Sequence, residues 1–476
     1  MFQLRDYQKK IVLKTVQSLV KNQKVLVSAP TGAGKTVIAS FLVDYYLKKG
    51  KRIAFVVDSE ELIKQTVATF GQDCSVLKAG HEKDFDSNKP LQIIMIQTFY
   101  ARKNRLPDMD LDMLIIDEVH IGWQKGRMIE LCEIYDNAKI IGLSATPINE
   151  RGYLLDGFDD YINEVQVKDL IEQGYLVKPI CYTPQNCVLD LSKVRMSGYD
   201  YNSKDVDEIV LDTEKVAKIV DAWEELASDR KTLVFASSIK HAEKIYQEYV
   251  KRGYTSVALL HSQLEDLTER RKDFKDKQIV VNCGILTKGY DDKRIDCVVM
   301  ARPSKVLSLY IQCVGRGLRY LTGKKDCIII DVANCIALHG LPDDLRFYTK
   351  EPIKKHAKAT DMICPECGAV VSIGAKICPY CDYEFTAEQI ASATKQSKKE
   401  IDRMVKALDL QKELKEKIKK EVICRGYKRG FAWYLFVDCL KTKKPTESSI
   451  MFFKKRITKL NKIIKKKWKL QALRYE

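Results

Sequence analysis

Through the first half of the chain, short apolar runs alternate with longer stretches of helical periodicity. The runs are Val25–Val27, Ile53–Val57, Ile93–Ile96, Leu114–Ile116 and Ile140–Leu143. Runs this short and this apolar, separated by helical patterns, predict strands buried on both faces of a parallel sheet between helices. A second series follows at Leu233–Phe235, Val257–Leu260, Ile279–Val281, Val298–Met300 and Ile328–Ile330, and predicts a second α/β domain of the same kind. Between them, residues 185–211 are polar and turn-rich and read as a connection or insertion. From His339 to Asp361 the pattern breaks at Pro342, Pro352 and a run of lysines. Further on, Ile401, Met404, Val405 and Leu408 recur at helical spacing and continue, after a phase shift, with Leu414, Ile418 and Val422. Phe453, Ile457, Leu460, Ile464 and Trp468 form a last stripe ringed by lysines.

The chain's 476 residues exceed one ordinary core and predict three or four units. No apolar run approaches the ~18 residues that span a bilayer, and Met1–Asp6 lacks a signal peptide's apolar stretch. A cytoplasmic protein is expected, in a nucleoid or in a phage host, with no membrane partner. The net charge of +17 is concentrated near the C-terminus: residues 386–476 hold 26 Lys and Arg against 10 Asp and Glu. The first four-fifths of the chain is therefore nearly neutral, and the electrostatic footprint for a polyanion lies in the tail.

Three stretches carry phosphate chemistry. In Ala29-Pro30-Thr31-Gly32-Ala33-Gly34-Lys35-Thr36, placed between a strand and a helical pattern, Gly32 and Gly34 let the backbone curl so that N–H groups point at phosphate oxygens. Lys35 then reaches the terminal phosphates, and Thr36 offers a hydroxyl to Mg²⁺. The strict pattern has Gly where this chain has Ala29. Leu111–His120 ends a strand in Asp117, Glu118 and His120. Asp117 is placed to hold Mg²⁺, Glu118 to deprotonate the attacking water, and His120 to report nucleotide state. Gln312-Cys313-Val314-Gly315-Arg316-Gly317-Leu318-Arg319 sets Arg316 and Arg319 on one helix face, suited to a γ-phosphate held by another domain.

These residues resemble a superfamily 2 DExH-type helicase over about Leu4 to Gly340. The resemblance implies two tandem RecA-like domains with ATP between them, and a DNA-dependent ATPase. In that likeness Arg5 and Gln8 belong to the adenine-recognising segment, with Gln8 as base reader. Asp58–Gln65 and Ile96-Gln97-Thr98 resemble backbone-gripping motifs, so Gln97 and Thr98 are expected at nucleic acid. Ser144-Ala145-Thr146-Pro147 resembles the motif that couples hydrolysis to movement. Leu286–Asp291 looks like the motif facing both partners, with Thr287 and Lys288 toward the strand and Gly289 and Asp291 toward ATP. Ser59 stands where relatives often carry a basic residue, and Val119 replaces the usual Ala. A narrower likeness, in Ile171–Val177, Ala301-Arg302-Pro303-Ser304, Asp331–Asn334 and His339-Gly340, is to the RadD-like group and to phage helicases that remodel branched DNA. It implies forked or branched DNA as substrate, in repair, recombination or replication, with single-stranded-DNA-binding or recombination proteins as candidate partners and a monomeric state. An ATP-gated junction clamp with little unwinding, or an RNA helicase, fits the same motifs.

Of 15 cysteines, Cys283, Cys297, Cys327 and Cys335 are scattered singly in apolar runs and read as core residues of a reducing compartment. Four differ. Cys364-Pro365-Glu366-Cys367 and Cys378-Pro379-Tyr380-Cys381 form two hooks with the spacing of a closed, structural Zn²⁺ site. Only Lys376 is basic between them, which favours a staple over a DNA-gripping surface. In Arg425–Trp433, which resembles a stretch of RadD-like chains, Lys428, Arg429 and Trp433 either grip phosphates and stack on bases or belong to a small helical core. The organisation expected is 1–180 and 213–345 as the two RecA-like domains and 181–212 as the connection. The four-Cys module with its linker occupies 346–385, and a basic, mainly helical nucleic-acid-binding domain occupies 386–476.

Overall fold

The computed structural model describes residues 3–71, 73–80, 85–106, 109–123, 126–184, 189–264, 274–286, 290–346, 348, 361–372 and 375–393. In lobe 1 the strands are β1 (Lys24–Ser28), β2 (Ile53–Val57), β3 (Ser75–Leu77), β4 (Leu91–Met95), β5 (Met113–Ile116), β6 (Lys139–Ser144) and β7 (Asp160–Asn163). They form one parallel sheet in the order β3-β4-β2-β5-β6-β1-β7. β2 and β5 are buried along their whole length, as expected of strands covered by helices on both faces.

Lobe 2 begins earlier than its own apolar series. β8 (Lys178–Tyr182) pairs in parallel with the strand Asp326–Asp331, from Lys178 opposite Asp326 to Tyr182 opposite Ile330. The boundary expected at residue 180 therefore falls inside a strand of the second sheet. After the small hairpin β9 (Met196–Ser197) and β10 (Asp200–Tyr201), the strands are β11 (Thr232–Ala236), β12 (Val257–Leu260), β13 (Ile279–Asn282), β14 (Cys297–Ala301) and β15 (Asp326–Asp331). Their parallel order is β12-β13-β11-β14-β15-β8, with β8 at the edge. Every apolar run singled out above lies in or overlaps one of these strands. The expected connection is built: Leu189, Val206 and Val210 make a small apolar cluster, and the Leu189 N–H donates to the Val332 carbonyl at 3.2 Å.

The stretch after His339, where the hydrophobic pattern fails, folds back onto lobe 1. Gln166 and Arg346 exchange two side chain to backbone hydrogen bonds (3.2 and 3.3 Å), and Tyr348 is buried in a lobe 1 cluster. Beyond it, β16 (Asp361–Ile363) and β17 (Val370–Ser372) form an antiparallel hairpin that presents the cysteine hooks. Residues 1–393 form one compact unit. No helix among the described residues is long and apolar enough to cross a membrane. Thr287, Lys288, Gly289, Lys428, Arg429, Trp433 and the basic tail domain lie outside the described residues.

Among the buried histidines of lobe 2 are His241 and His339. Burial pulls both down to about 4, with Lys244 adding to the effect at His241. The unfolded value is near 6.5, so between these limits the unfolded chain binds more protons. Stability is thus full above about pH 6.5 and falls as pH drops through the window, by roughly 3 kcal/mol per histidine at full effect. Urea midpoints at pH 7.5 and 5.0 test this: the parent loses stability at the lower pH, and His241→Asn loses distinctly less. An equal loss in both proteins would remove His241 as a source.

Candidate functional site

The phosphate loop is shaped by its glycines. Gly32 (φ +87°) and Gly34 (φ +78°) are left-handed, and Gly34 opens the helix Lys35–Leu47 without any side-chain cap. The first N–H groups of that helix are therefore directed at the loop's hollow, where an anion is stabilised by them and by the helix dipole. The Thr31 hydroxyl, buried and without a hydrogen-bond partner, faces the same need. Thr36, the second residue of the helix, is half-buried.

At the end of β5 the chain turns sharply through Glu118, which sits at φ +44°, a costly conformation for a side chain-bearing residue. The turn puts Glu118 Oε1 3.3 Å from Lys35 Nζ and Glu118 Oε2 3.4 Å from His120 Nδ1. Burial works against the Glu118 charge, but Lys35 and His120 hold its carboxyl below the ordinary range. Burial pushes Asp117 the other way, up to about 7, with the Glu118 charge adding to it. A divalent cation at this carboxylate would reverse that balance, so the pair fits the expected magnesium site. His120 Nδ1 is also 2.9 Å from Ser144 Oγ, which accepts from the Thr146 N–H at 3.0 Å. The acidic turn is thereby tied to the Ser144–Pro147 segment.

Lobe 2 closes the other side. Its helix Leu307–Val314 buries Gln312 and delivers Gly315 against Thr31: a Cβ on Gly315 would stand 2.7 Å from the threonine side chain. Arg316, buried, and Arg319, partly buried, follow, and both donate to the Tyr290 carbonyl, at 2.6 and 2.8 Å. Arg319 also pairs with Asp291 at 2.5 Å. Burial brings Arg316 down to about 10, and neighbouring Arg319 adds to it; Glu118 of lobe 1 pulls in the opposite sense, so the two lobes feel each other's charge. Arg319 is held in turn by the interlobe linker, since Leu176 bridges to it and the Val177 N–H donates to the Leu318 carbonyl at 2.9 Å.

Of the adenine-segment residues, Gln8 is buried and hydrogen-bonded at both ends of its amide. Its Oε1 accepts from the Arg5 N–H at 3.0 Å and its Nε2 donates to the Ala33 carbonyl at 2.8 Å. Arg5 lies 4.1 Å from the centroid of the Tyr175 ring, and Tyr7, 5.5 Å from Tyr175, also donates to Ala33. Tyr7, Tyr175, Leu176, Tyr290 and Gly315 were missed in the sequence. No local signal was available for the Arg5–Tyr175 contact, because its partners are far apart in the chain. Gln97 is exposed and donates to the Asp58 carbonyl at 2.9 Å, while Thr98 is buried. Ser59 caps the helix Glu60–Phe70, accepting from the Leu62 N–H, which explains a serine at this position.

Residues 1–149 match the family described as the res subunit of type III restriction enzymes, and residues 214–320 the helicase conserved C-terminal domain. The chain belongs to the superfamily 2 helicases. It is 27% identical over 379 residues to a 51.5 kDa protein of a Lactococcus phage, covering 76% of this chain and 79% of that one. It is also 27% identical over 363 residues to IRC3 of Saccharomyces cerevisiae, described as an ATP-dependent helicase, covering 69% of this chain but only 51% of the yeast protein. The fold is similar to a fragment of an HsdR subunit of a type I restriction enzyme from Vibrio vulnificus, with TM-score 0.56 at 21% identity over 73% of this chain and 67% of that one.

The four cysteine sulfurs lie within 4.8 Å of one another, with Cys364 Sγ 3.6 Å from Cys381 Sγ and Cys367 Sγ 3.7 Å from Cys378 Sγ. A tetrahedron of Zn–S bonds near 2.3 Å has edges of about 3.8 Å, whereas a disulfide needs about 2.05 Å. The cluster fits a metal, and with four sulfurs it leaves no open position for a water.

Gly315 is the tightest test of the lobe contact. Gly315→Val should leave the loop in lobe 1 able to bind nucleotide but hold the arginines away, lowering ATP turnover by about a hundredfold. Steady-state ATPase and fluorescent-nucleotide binding check this; unchanged turnover would mean the contact is incidental.

Proposed function

We propose that the chain is an ATP-dependent DNA helicase or translocase acting on forked or branched DNA in repair, recombination or replication. The observation carrying this reading is the position of Arg316 and Arg319 of lobe 2 against the phosphate loop and Glu118 of lobe 1. Hydrolysis then depends on lobe closure, and closure is the movement. In this reading Lys35 and the helix N-terminus hold the β- and γ-phosphates, and Thr36 and Asp117 hold Mg²⁺, which neutralises phosphate charge. Glu118 takes the proton of the attacking water, and the two arginines stabilise the charge that develops on the γ-phosphate. Arg5 and Tyr175 provide a flat platform for the adenine, and Gln8 sets its edge. His120 passes the state of the pocket to Ser144, and thence to the strand-facing side.

DNA as substrate rests on the resemblance to the RadD-like group and on the +16 tail, whose affinity for a polyanion falls steeply with salt. Zn²⁺ in the four-cysteine cluster is structural. Lys35→Ala and Arg319→Ala should each lower ATP turnover roughly a thousandfold in saturating DNA. ATPase stimulation by single-stranded, duplex, forked and four-way DNA and by RNA, at one salt concentration, reads the substrate class. A forked duplex with labelled strands separates a motor from a clamp. ATP use without strand displacement or junction migration would replace the motor by an ATP-gated clamp, and stronger stimulation by RNA would replace the substrate.

A further inference from the structure

The four-cysteine ribbon is docked on one particular strand. β8 is the open edge of the lobe 2 sheet, and an unpaired edge is free to fray or to pair wrongly. The ribbon takes up the C-terminal part of that edge: Tyr182 bridges to Ala369, and the Thr183 N–H donates to the Gly368 carbonyl at 2.8 Å. Gly368 is left-handed (φ +69°), and a Cβ there would stand 3.1 Å from the Thr183 carbonyl oxygen, so a side chain would be strained and the approach favours glycine. The Tyr380 ring, within the second cysteine hook, lies 5.9 Å from the Tyr182 ring.

The other end of the same strand leads into the catalytic contact. Leu176 and Val177, the two residues before β8, pair with Arg319 and Leu318, and Leu176 also packs on Gly32, where a Cβ would come within 2.8 Å of its Cδ2. One extended segment, Leu176 to Thr183, therefore joins the ribbon to the arginine and the phosphate loop over about 23 Å. We propose that the ribbon is a positioning unit for Arg319: by capping the edge of β8 it fixes the strand that holds the arginine's backbone in register. Tyr380 and Gly368 are its docking residues, and Cys364, Cys367, Cys378 and Cys381 hold those two in place. The ribbon's own core is small, Ala369, Val371 and Phe385 beside two of the cysteines, so the metal bonds are what keep its docking face rigid. The proposal rests on the arginine and zinc readings above.

The test uses the full chain with three substitutions that leave the cysteines intact. Tyr380→Ala removes the ring contact, Thr183→Pro removes the donated N–H at a position that is already extended, and Tyr380→Phe is the conservative control. Bound zinc is measured by elemental mass spectrometry, ATP turnover as kcat and KM, and backbone order by hydrogen exchange. The expected result is one zinc per chain throughout, kcat down about tenfold with KM within twofold in the first two variants, and faster exchange at Val177. Tyr380→Phe behaves as the parent. Unchanged exchange at Val177, or kcat and KM worsening together with loss of the thermal transition, overturns the positioning role. Absence of zinc from the parent defeats the zinc reading alone, and absence of ATPase from the parent defeats the motor reading alone. The Val177 exchange in the docking variants decides the proposal in either case.

Discussion

Two guanidinium groups buried side by side are the constraint around which this molecule is arranged. Arg316 and Arg319 share one carbonyl acceptor; burial lowers the proton affinity of both, and the Arg319 charge lowers that of Arg316 further. Such a pair is costly unless anionic groups face it. Asp291 answers part of the charge from within lobe 2, and Glu118 answers across the lobe boundary. Glu118 also pairs with Lys35 of its own lobe, so one carboxylate is pulled by cations from both lobes. A triphosphate in the loop brings several more negative charges into the same space. The cost of burying the arginines then becomes a preference for the closed, nucleotide-bound arrangement.

This explains why backbone details matter more here than side-chain identity. Gly315 permits the lobes to touch, Gly32 admits Leu176, and Glu118 accepts a strained φ to reach Lys35. Each is a place where ordinary local preference is overridden by the need to bring charges within a few ångströms of each other.

Those overrides also mark the limit of what the sequence discloses. The parallel strands were legible because strands covered on both faces must be apolar throughout, and the phosphate loop and cysteine hooks because their chemistry demands fixed spacing. β7 and β8 were not: Asp160–Asn163 and Lys178–Tyr182 lie at sheet edges, where most positions are only partly buried and the apolar signal fades. The membership of β8 in lobe 2 was invisible for a further reason, since sheet partners 148 residues apart leave no local trace. The return of Arg346 and Tyr348 to lobe 1 was hidden in the same way, in a stretch that reads as a linker because its packing partners come from elsewhere in the chain. Gln8 was expected at the nucleotide site, and the structure places it against the phosphate loop. Its bond to the Ala33 carbonyl depends on how the helix Asp6–Lys21 sits against the loop, which spacing does not encode.

The lobes are held together at more than one point, and this bears on how the machine can move. The linker through Leu176 and Val177 pairs with lobe 2, the hairpin at Asp200 binds Ser304 and Lys305 of lobe 2, and Tyr199 reaches Arg151 of lobe 1 at 3.1 Å. The segment ending at Tyr348 returns to lobe 1 through Gln166. Three crossings constrain a hinge far more than one, because opening along any axis that preserves one set of bonds strains another. The exposed crossing, Arg151 to Tyr199, is the weakest in energy, while the other is buried, with Arg346 hydrogen-bonded to Gln166 and Tyr348 in an apolar cluster. Opening should therefore begin at the hairpin and pivot about the buried strap. In the proposed cycle the arginines would then leave the phosphate loop along a fixed path, and reopening after hydrolysis would be a directed motion of one lobe on the other.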